Sequence, residues 1–416
     1  MAPTRSNARL IRFGIFAFIL IVCGFILTQG SSFSASTGSQ PAQVKSSPIA
    51  AADTGDVGKR KGPTQKLFEK GSAEAENQKL DVPANLEWSE KDKIKATFVS
   101  LARNQDLYQL LESIRHIEDR FNHKFHYDWV FLNDQPFDDA FKEATSNLCS
   151  GKTKYGLIPT EHWSYPAWID QEKAALARER MHQAKVIYGG SESYRHMCRY
   201  ESGFFWRHDL MSEYEYYWRV EPDIKIYCDI DYDIFKWMKD NGKDYSFTVS
   251  LPEYKETIPT LWETTKKYIE ANPKVLAENN LLEFISNDEG KTYNGCHFWS
   301  NFEIANLNFW RSDAYREYFE FLDRAGGFFY ERWGDAPVHS IAAALFLPRD
   351  RIHFFEDVGY FHVPFTNCPV DPAIRFGRNC NCNPDKDFTW RGWSCTTKYY
   401  TVNNLKRQKN WEKYTS

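Results

Sequence analysis

From Lys93 onward the chain alternates between two hydrophobic periods. Ala96-Thr97-Phe98-Val99-Ser100-Leu101 reads as a strand, and Leu107, Leu110, Leu111, Ile114, Ile117 and Phe121 recur at the three- and four-residue spacing of a helix. Tyr127 to Leu132 reads as a second strand. This strand, helix, strand order opens a Rossmann-like α/β layer. A third strand is expected at Lys185 to Tyr188, ending in Gly189-Gly190, a fourth at Tyr216 to Val220 and a fifth at Tyr245 to Val249. A helix is expected from Thr260 to Asn272. Another starts at a Ser312 cap, carries Tyr315, Tyr318, Phe319 and Leu322 on one face, and stops at Gly326-Gly327. An Ala-rich helix follows a tight loop at Trp333 to Ser340, and a final strand region holds His353 and His362. The pattern predicts one large α/β domain with a mixed central sheet.

The amino terminus is of another kind. Phe13 to Leu27 is an uncharged apolar run preceded by Arg5, Arg9 and Arg12. That is the signature of a membrane-targeting segment with its basic flank in the cytosol; its length fits a short signal-anchor, with a signal peptide cleaved near Ser31 to Ala35 as the alternative. The Ser-, Ala-, Gly- and Lys-rich sequence beyond it lacks the apolar residues to bury a core. The expected organisation is a cytosolic tail over 1–12, a transmembrane anchor over 13–28, a flexible stem over 29–90 and a lumenal catalytic domain over 91–416.

A net charge of -4 without a dense basic tract argues against a nucleic-acid partner, while 16% aromatic residues suit a large core and sugar-stacking surfaces. Of nine cysteines, Cys23 lies in the apolar run. The others are Cys149, Cys198, Cys228, Cys296, Cys368, Cys380, Cys382 and Cys395. An even number in an oxidising lumen reads as disulfides, with a zinc site as the rival for the Cys368 to Cys395 cluster. There is no Asn-x-Ser/Thr acceptor in the sequence.

The candidate chemistry gathers where strands end. Pro222 cannot donate to a sheet ladder, so the strand from Tyr216 should stop at Glu221 and leave Glu221 and Asp223 at its carboxyl end, where a hard divalent cation could meet a substrate phosphate. Asp229-Ile230-Asp231 is the local rival for a metal, because alternation would put both carboxylates on one face. Arg103-Asn104 falls at the first strand-to-helix turn. Gly189-Gly190 permits a close backbone approach, or merely a turn, ahead of Tyr194. Glu253 closes the strand from Tyr245, and Glu303 is embedded among aromatic residues, where its charge needs a cation or hydroxyl for company.

Four stretches carry a resemblance: Tyr-Tyr-Trp-Arg-Val-Glu-Pro-Asp at 216–223, Tyr-Asn-Gly-Cys-His-Phe-Trp-Ser-Asn-Phe-Glu-Ile at 293–304, Arg-Trp-Gly-Asp-Ala-Pro-Val-His-Ser at 332–340 and Gly-Tyr-Phe-His-Val-Pro at 359–364. Together they closely resemble the fungal Golgi α-1,2-mannosyltransferases of glycosyltransferase family 15, type II membrane proteins. The resemblance implies a GT-A-like fold, GDP-mannose as donor, Mn²⁺ as cofactor, and retaining transfer of mannose to the 2-hydroxyl of an α-mannoside on O-linked or N-linked glycoprotein chains. By the same resemblance Glu221 and His362 would ligate the metal, and Glu303 and Tyr194 would be catalytic, Glu303 as the nucleophile. Arg219 would contact the nucleotide donor, and Glu253 and Asp335 would face the sugars; Arg103, at the first strand-to-helix turn where such folds bind nucleotides, and Asp223, at the strand end, are assigned to the nucleotide by position. Mannosylphosphate transfer and a catalytically inactive mannan-binding scaffold are the competing readings.

Overall fold

The strand predicted at the start of the folded region forms as β1 (Ala96–Leu101), and it is buried along nearly its whole length, as a central strand between two packed layers must be. The computed structural model containing it describes residues 93–415. The tail, the anchor and the stem expected over 1–90 lie outside the described residues, among which no helix is long and apolar enough to cross a membrane.

Two strands, β2 (Asp128–Asn133) and β3 (Thr153–Leu157), extend the sheet in parallel on one side of β1. On the other side β1 pairs in parallel with β4 (Tyr216–Arg219). The sheet thus reverses its direction of growth between β1 and β4, and that switch point opens a crevice at their carboxyl ends. Beyond β4 lie β9 (Ile304–Asn306), antiparallel to its neighbours, then β6 (Tyr245–Phe247) and β10 (Ile352–Phe354). The result is a mixed seven-stranded sheet of order β10-β6-β9-β4-β1-β2-β3.

Side-chain alternation divides the core into two apolar layers. Phe98, Trp129 and Trp218 enter one, while Val99, Val130 and Tyr217 enter the other. Phe98 and Trp129 stack at 4.4 Å between ring centroids. The principal helices of the site region are α1 (Leu107–Ile117), α2 (Gln171–Gln183), α3 (Glu192–Gly203), α4 (Leu261–Ala271), α5 (Asp313–Ala325) and α6 (Asp335–Phe346). On α5 the Ser312 side chain accepts from the Tyr315 amide, and Gly326 closes the helix at φ 76°, a left-handed conformation that favours glycine.

Two small sheets complete the architecture. In one, β5 (Lys225–Ile226) pairs antiparallel with β11 (Tyr360–His362), which pairs with β12 (Phe365–Asn367). In the other, β7 (Ser250–Pro252) pairs with β8 (Cys296–Phe298). The strand predicted at Tyr245 to Val249 is therefore divided: β6 stops at Phe247 and β7 resumes at Ser250 in a different sheet.

Three expectations need correction. Lys185 to Tyr188 is not a strand. Lys185 and Tyr188 have φ of 55° and 54°, and the segment is a tight turn joining α2 to α3. The close approach that Gly189 permits is to α2 itself, since a Cβ there would lie 2.7 Å from the Met181 Cβ. The third parallel strand is instead β3, whose sequence Thr-Lys-Tyr-Gly-Leu has too little apolar periodicity to announce it. Asp335 and His339 occupy no loop, because α6 begins at Asp335 with Gly334 as its cap.

The cysteines supply the other correction. Disulfides join Cys228 to Cys380, Cys296 to Cys395 and Cys368 to Cys382, while Cys149 and Cys198 are buried free thiols. Disulfide pairing thus takes up the cluster for which zinc was the rival. It also fastens the carboxyl-terminal extension to β8 and to the segment after β5. The Cys296–Cys395 bridge spans 99 residues of sequence. Replacing both cysteines by alanine is expected to lower stability by about 2–5 kcal/mol, measured by denaturant unfolding under non-reducing conditions.

Candidate active site

Strand pairing explains how Glu221 and His362, 141 positions apart in the numbering (362 − 221), come to face each other. Glu221 follows β4 at the switch point. The chain turns through Pro222 and Asp223 into β5, and β11 runs antiparallel to β5 with Phe361 opposite Lys225, so that its last residue arrives beside the Glu221 turn. The His362 Nε2 lies 3.4 Å from Glu221 Oε2. Within the turn Asp223 takes a left-handed conformation, φ 63°, which aspartate tolerates better than most residues with a side chain.

Arg219 organises the surroundings. It is the last residue of β4, and its guanidinium is almost wholly buried. Nη2 donates to Glu221 Oε1 at 2.6 Å and Nη1 to Asp335 Oδ2 at 2.6 Å, with Glu201 Oε2 a further 3.8 Å from Nη1. Asp335 also accepts from the Ser300 hydroxyl at 2.7 Å. Burial would by itself raise the pKa of both Glu221 and Asp335. Arg219 reverses this, helped by His362 at Glu221 and by His339 at Asp335, and both carboxyls titrate below their usual range. Glu201 is different. Burial dominates the Arg219 attraction there, neighbouring carboxylates add to it, and its carboxyl is pushed up to about 7.

Glu303 lies on the other side of Arg219, whose backbone N–H donates to the Glu303 carbonyl at 2.9 Å. Its side chain is fully buried. The hydroxyls that its sequence context called for are present: Tyr217 donates to Oε1 at 2.6 Å and Tyr245 to Oε2 at 3.0 Å, and His339 Nδ1 lies 3.1 Å from Oε2. Asp335 and His339 are one helical turn apart on α6, so a single helix face serves both Arg219 and Glu303.

A neighbouring group is built on α3. Ser191 caps this helix by accepting from the Tyr194 amide, and Tyr194, Cys198 and Glu201 follow at the spacing of one face. The Arg332 guanidinium lies over the Tyr194 ring, 5.2 Å from its centroid, and Arg332 Nη2 is 3.5 Å from Glu253 Oε1. Glu253 is fixed by its own backbone N–H, which donates to the Gly295 carbonyl at 2.8 Å.

The structure thus gathers Arg219, Glu221, Asp335, Glu303 and His362 into one network and places Tyr194 with Glu253 beside it. Arg103 stands apart, exposed past the end of β1 and paired with Asp106 at 2.9 Å. Asp223 is exposed on the Glu221 turn, with its backbone N–H directed to the Gln109 carbonyl at 3.4 Å. The rival pair is already neutralised. Asp229 is bound by Arg120 at 2.5 Å, Asp231 by Lys124, and neither belongs to a strand that would align them. Glu201, Ser300 and Arg332 were not singled out from sequence. Of these, only Glu201 had a legible signal, seven residues beyond Tyr194 on a helix face.

Among the described residues no group of three or more His, Cys, Asp and Glu side chains is disposed to hold a metal. The protein donors available at the switch point are the Glu221 carboxylate and the His362 imidazole. A hard or borderline divalent cation accepts that pair, and it would draw its remaining ligands from phosphate oxygens and water.

Residues 54–404 match the family model described as glycolipid 2-alpha-mannosyltransferase. The chain is 68% identical to glycolipid 2-alpha-mannosyltransferase 1 of Candida albicans over the full length of both proteins. It is 64% identical to the alpha-1,2 mannosyltransferase KTR1 of Saccharomyces cerevisiae over 77% of this chain and 81% of the relative. Among solved structures, core-mannan synthase A of Aspergillus fumigatus in its Mn/GDP form shares 38% identity with a TM-score of 0.72, covering 78% of this chain and 92% of that one. Ktr4p of S. cerevisiae in complex with GDP shares 34% identity, also with a TM-score of 0.72, covering 86% and 96%.

Proposed function

Since this chain belongs to the glycolipid 2-alpha-mannosyltransferase family, we propose that it transfers mannose from GDP-mannose to the 2-hydroxyl of an α-mannoside on O-linked or N-linked glycoprotein chains, with retention of the α configuration. The observation that carries this reading is the Glu221–His362 pair at the switch point, joined through Arg219 to Asp335. Solved relatives bind GDP, in one case with Mn, and the donor pair here suits the same cation. When bound, the divalent cation offsets negative charge on the departing diphosphate.

The chain's own residues account for the rest. Arg219 holds Glu221 on the donor side and Asp335 on the sugar side, so its fork fixes the distance between the two substrates' anchor points. Glu253 and Asp335 present carboxylates that accept from sugar hydroxyls. Tyr194 borders them, with its ring beneath Arg332. Retention calls for a carboxylate on the far face of the reacting carbon or for a front-face path. Glu303, with both oxygens already oriented, is the fixed negative charge available to either. Arg103 and Asp223, both exposed near the carboxyl ends of β1 and β4, are assigned to the nucleotide. The basic flank, the apolar run and the stem support a type II Golgi membrane protein with this domain in the lumen.

The test uses the full chain with GDP-mannose, Mn²⁺ and methyl α-mannoside. The expected outcome is GDP release with a disaccharide that an α-1,2-specific mannosidase cleaves. A product containing a phosphodiester would replace this reading with mannosylphosphate transfer. Donor binding without any product across α-mannoside acceptors would leave a sugar-binding protein instead.

A further inference from the structure

His339 is fully buried, and both of its ring nitrogens are engaged. Nε2 lies 3.1 Å from the Glu201 backbone carbonyl, which can only accept, so Nε2 must carry a hydrogen. Nδ1 lies 3.1 Å from Glu303 Oε2. That oxygen already accepts from Tyr245, while Oε1 accepts from Tyr217, whose own oxygen accepts from the Trp310 indole N–H at 3.0 Å. A neutral imidazole would therefore turn a lone pair toward a carboxylate oxygen. Rotating the ring would forfeit both contacts. One further proton must lie between Nδ1 and Oε2, and the ring face decides where it resides. Trp310 stacks on His339 with centroids 4.3 Å apart and planes 29° apart, an arrangement that favours a cation on the imidazole.

We propose that His339 is a positioning residue that holds the extra proton as an imidazolium and thereby keeps Glu303 an ionised, oriented carboxylate for the transfer step. This rests on the mannosyl-transfer reading and adds to it a residue that touches neither substrate. The groups facing the ring act in a consistent direction. Glu303 beside β9 and Asp335 one turn earlier on α6 favour the imidazolium, and Arg219 on β4 opposes it. Glu201 on α3 contributes its carbonyl, and Tyr315 on α5 faces the ring edge at 6.1 Å as a neutral phenol. Burial lowers the His339 pKa, but the Glu303 charge and hydrogen bond outweigh it, and the net shift is upward. The proton is therefore held to higher pH than on an ordinary imidazole and lost to solvent as pH rises. What remains is an unprotonated imidazole against a carboxylate that has lost its counter-charge.

The experiment measures kcat and KM for GDP-mannose from about pH 6 to about pH 9.5 with the full-length protein, comparing wild type with H339Q and H339A. Wild type is expected to lose kcat along an alkaline limb while KM for GDP-mannose stays flat. H339Q, which cannot titrate, is expected to have a kcat lower by about 10- to 100-fold at neutral pH, an unchanged donor KM, and no such limb. H339A should be slower still. A wild-type kcat and an unmoved limb in H339Q would overturn the proposal. If neither variant accumulates as folded protein, the wild-type profile decides: a kcat that stays flat across the whole range overturns the proposal, and an alkaline limb at constant KM supports it. Absence of transfer by the wild-type protein at every pH would instead defeat the mannosyl-transfer reading, which is a different result.

Discussion

Replacing Glu221 with alanine will abolish Mn²⁺-dependent binding of GDP-mannose and turnover together. Glu221 and His362 are the side chains set to bind a cation at the switch point, and the pair is held by the pairing of β5 with β11. Loss of an outer partner of a metal ligand commonly costs 10- to 100-fold in affinity or activity, so loss of a ligand itself should cost at least about 100-fold. The fold will tolerate the change. Glu221 is partly exposed, with 28% of its side-chain surface accessible, and Arg219 keeps Asp335 as a partner when Glu221 is gone. Glu221→Gln makes the assignment sharper, because it retains an oxygen for Arg219 and removes the charge a cation needs. Calorimetric titration of GDP with and without Mn²⁺ checks the binding, and initial rates check the turnover. If Glu221→Ala keeps wild-type rates with the same Mn²⁺ dependence, the metal site lies elsewhere.

How much of this arrangement the sequence disclosed depended on what carried the information. Strands with strong aromatic and β-branched runs were legible: β1, β2 and β4 lie close to where the pattern puts them, because each is buried on both faces and is largely apolar. Lys-Val-Ile-Tyr at 185–188 has the same composition but forms a turn, because Lys185 and Tyr188 take left-handed backbone conformations that no composition rule reveals. Glu221 was visible from Pro222, which had to end the ladder. His362 could be paired with it only through the resemblance, since the register of β11 on β5 is a tertiary fact. By sequence alone His339 falls in the loop expected at Trp333 to Ser340. Its meaning depends on three groups from three other elements, Glu303, the Glu201 carbonyl and Trp310, and no local pattern brings those together. Cysteine parity likewise favoured pairing throughout, yet Cys149 and Cys198 remain free thiols, Cys198 on the buried face of α3, because pairing depends on which cysteines the tertiary fold brings together.

Substituting Arg219 by methionine will destabilise the protein more than any surface change, and the deficit will depend on pH. In the native protein this one guanidinium is bonded to Glu221 and Asp335 and lies 3.8 Å from Glu201, with Glu303 behind it. Methionine fills similar volume but leaves Asp335, which is buried, without its main counter-charge. Breaking a buried pair by removing one partner costs about 3–5 kcal/mol. The pH dependence follows from the depressed carboxyls. Because Arg219 lowers the folded pKa of Glu221 and Asp335, each contributes stability that is present above its unfolded pKa and lost as pH falls through its folded pKa. Without Arg219, burial raises the Asp335 pKa, and the variant then gains relative to wild type as pH falls and that carboxyl takes up its proton. The stability gap between wild type and R219M, measured by denaturant unfolding, is therefore expected to be widest near neutral pH and to narrow toward about pH 4.5. A gap of equal size at both pH values would mean that Arg219 acts through packing alone. R219K separates structure from chemistry: a single ammonium restores positive charge and much of the stability, but it cannot span Glu221 and Asp335 as the two Nη atoms do, and turnover should stay low.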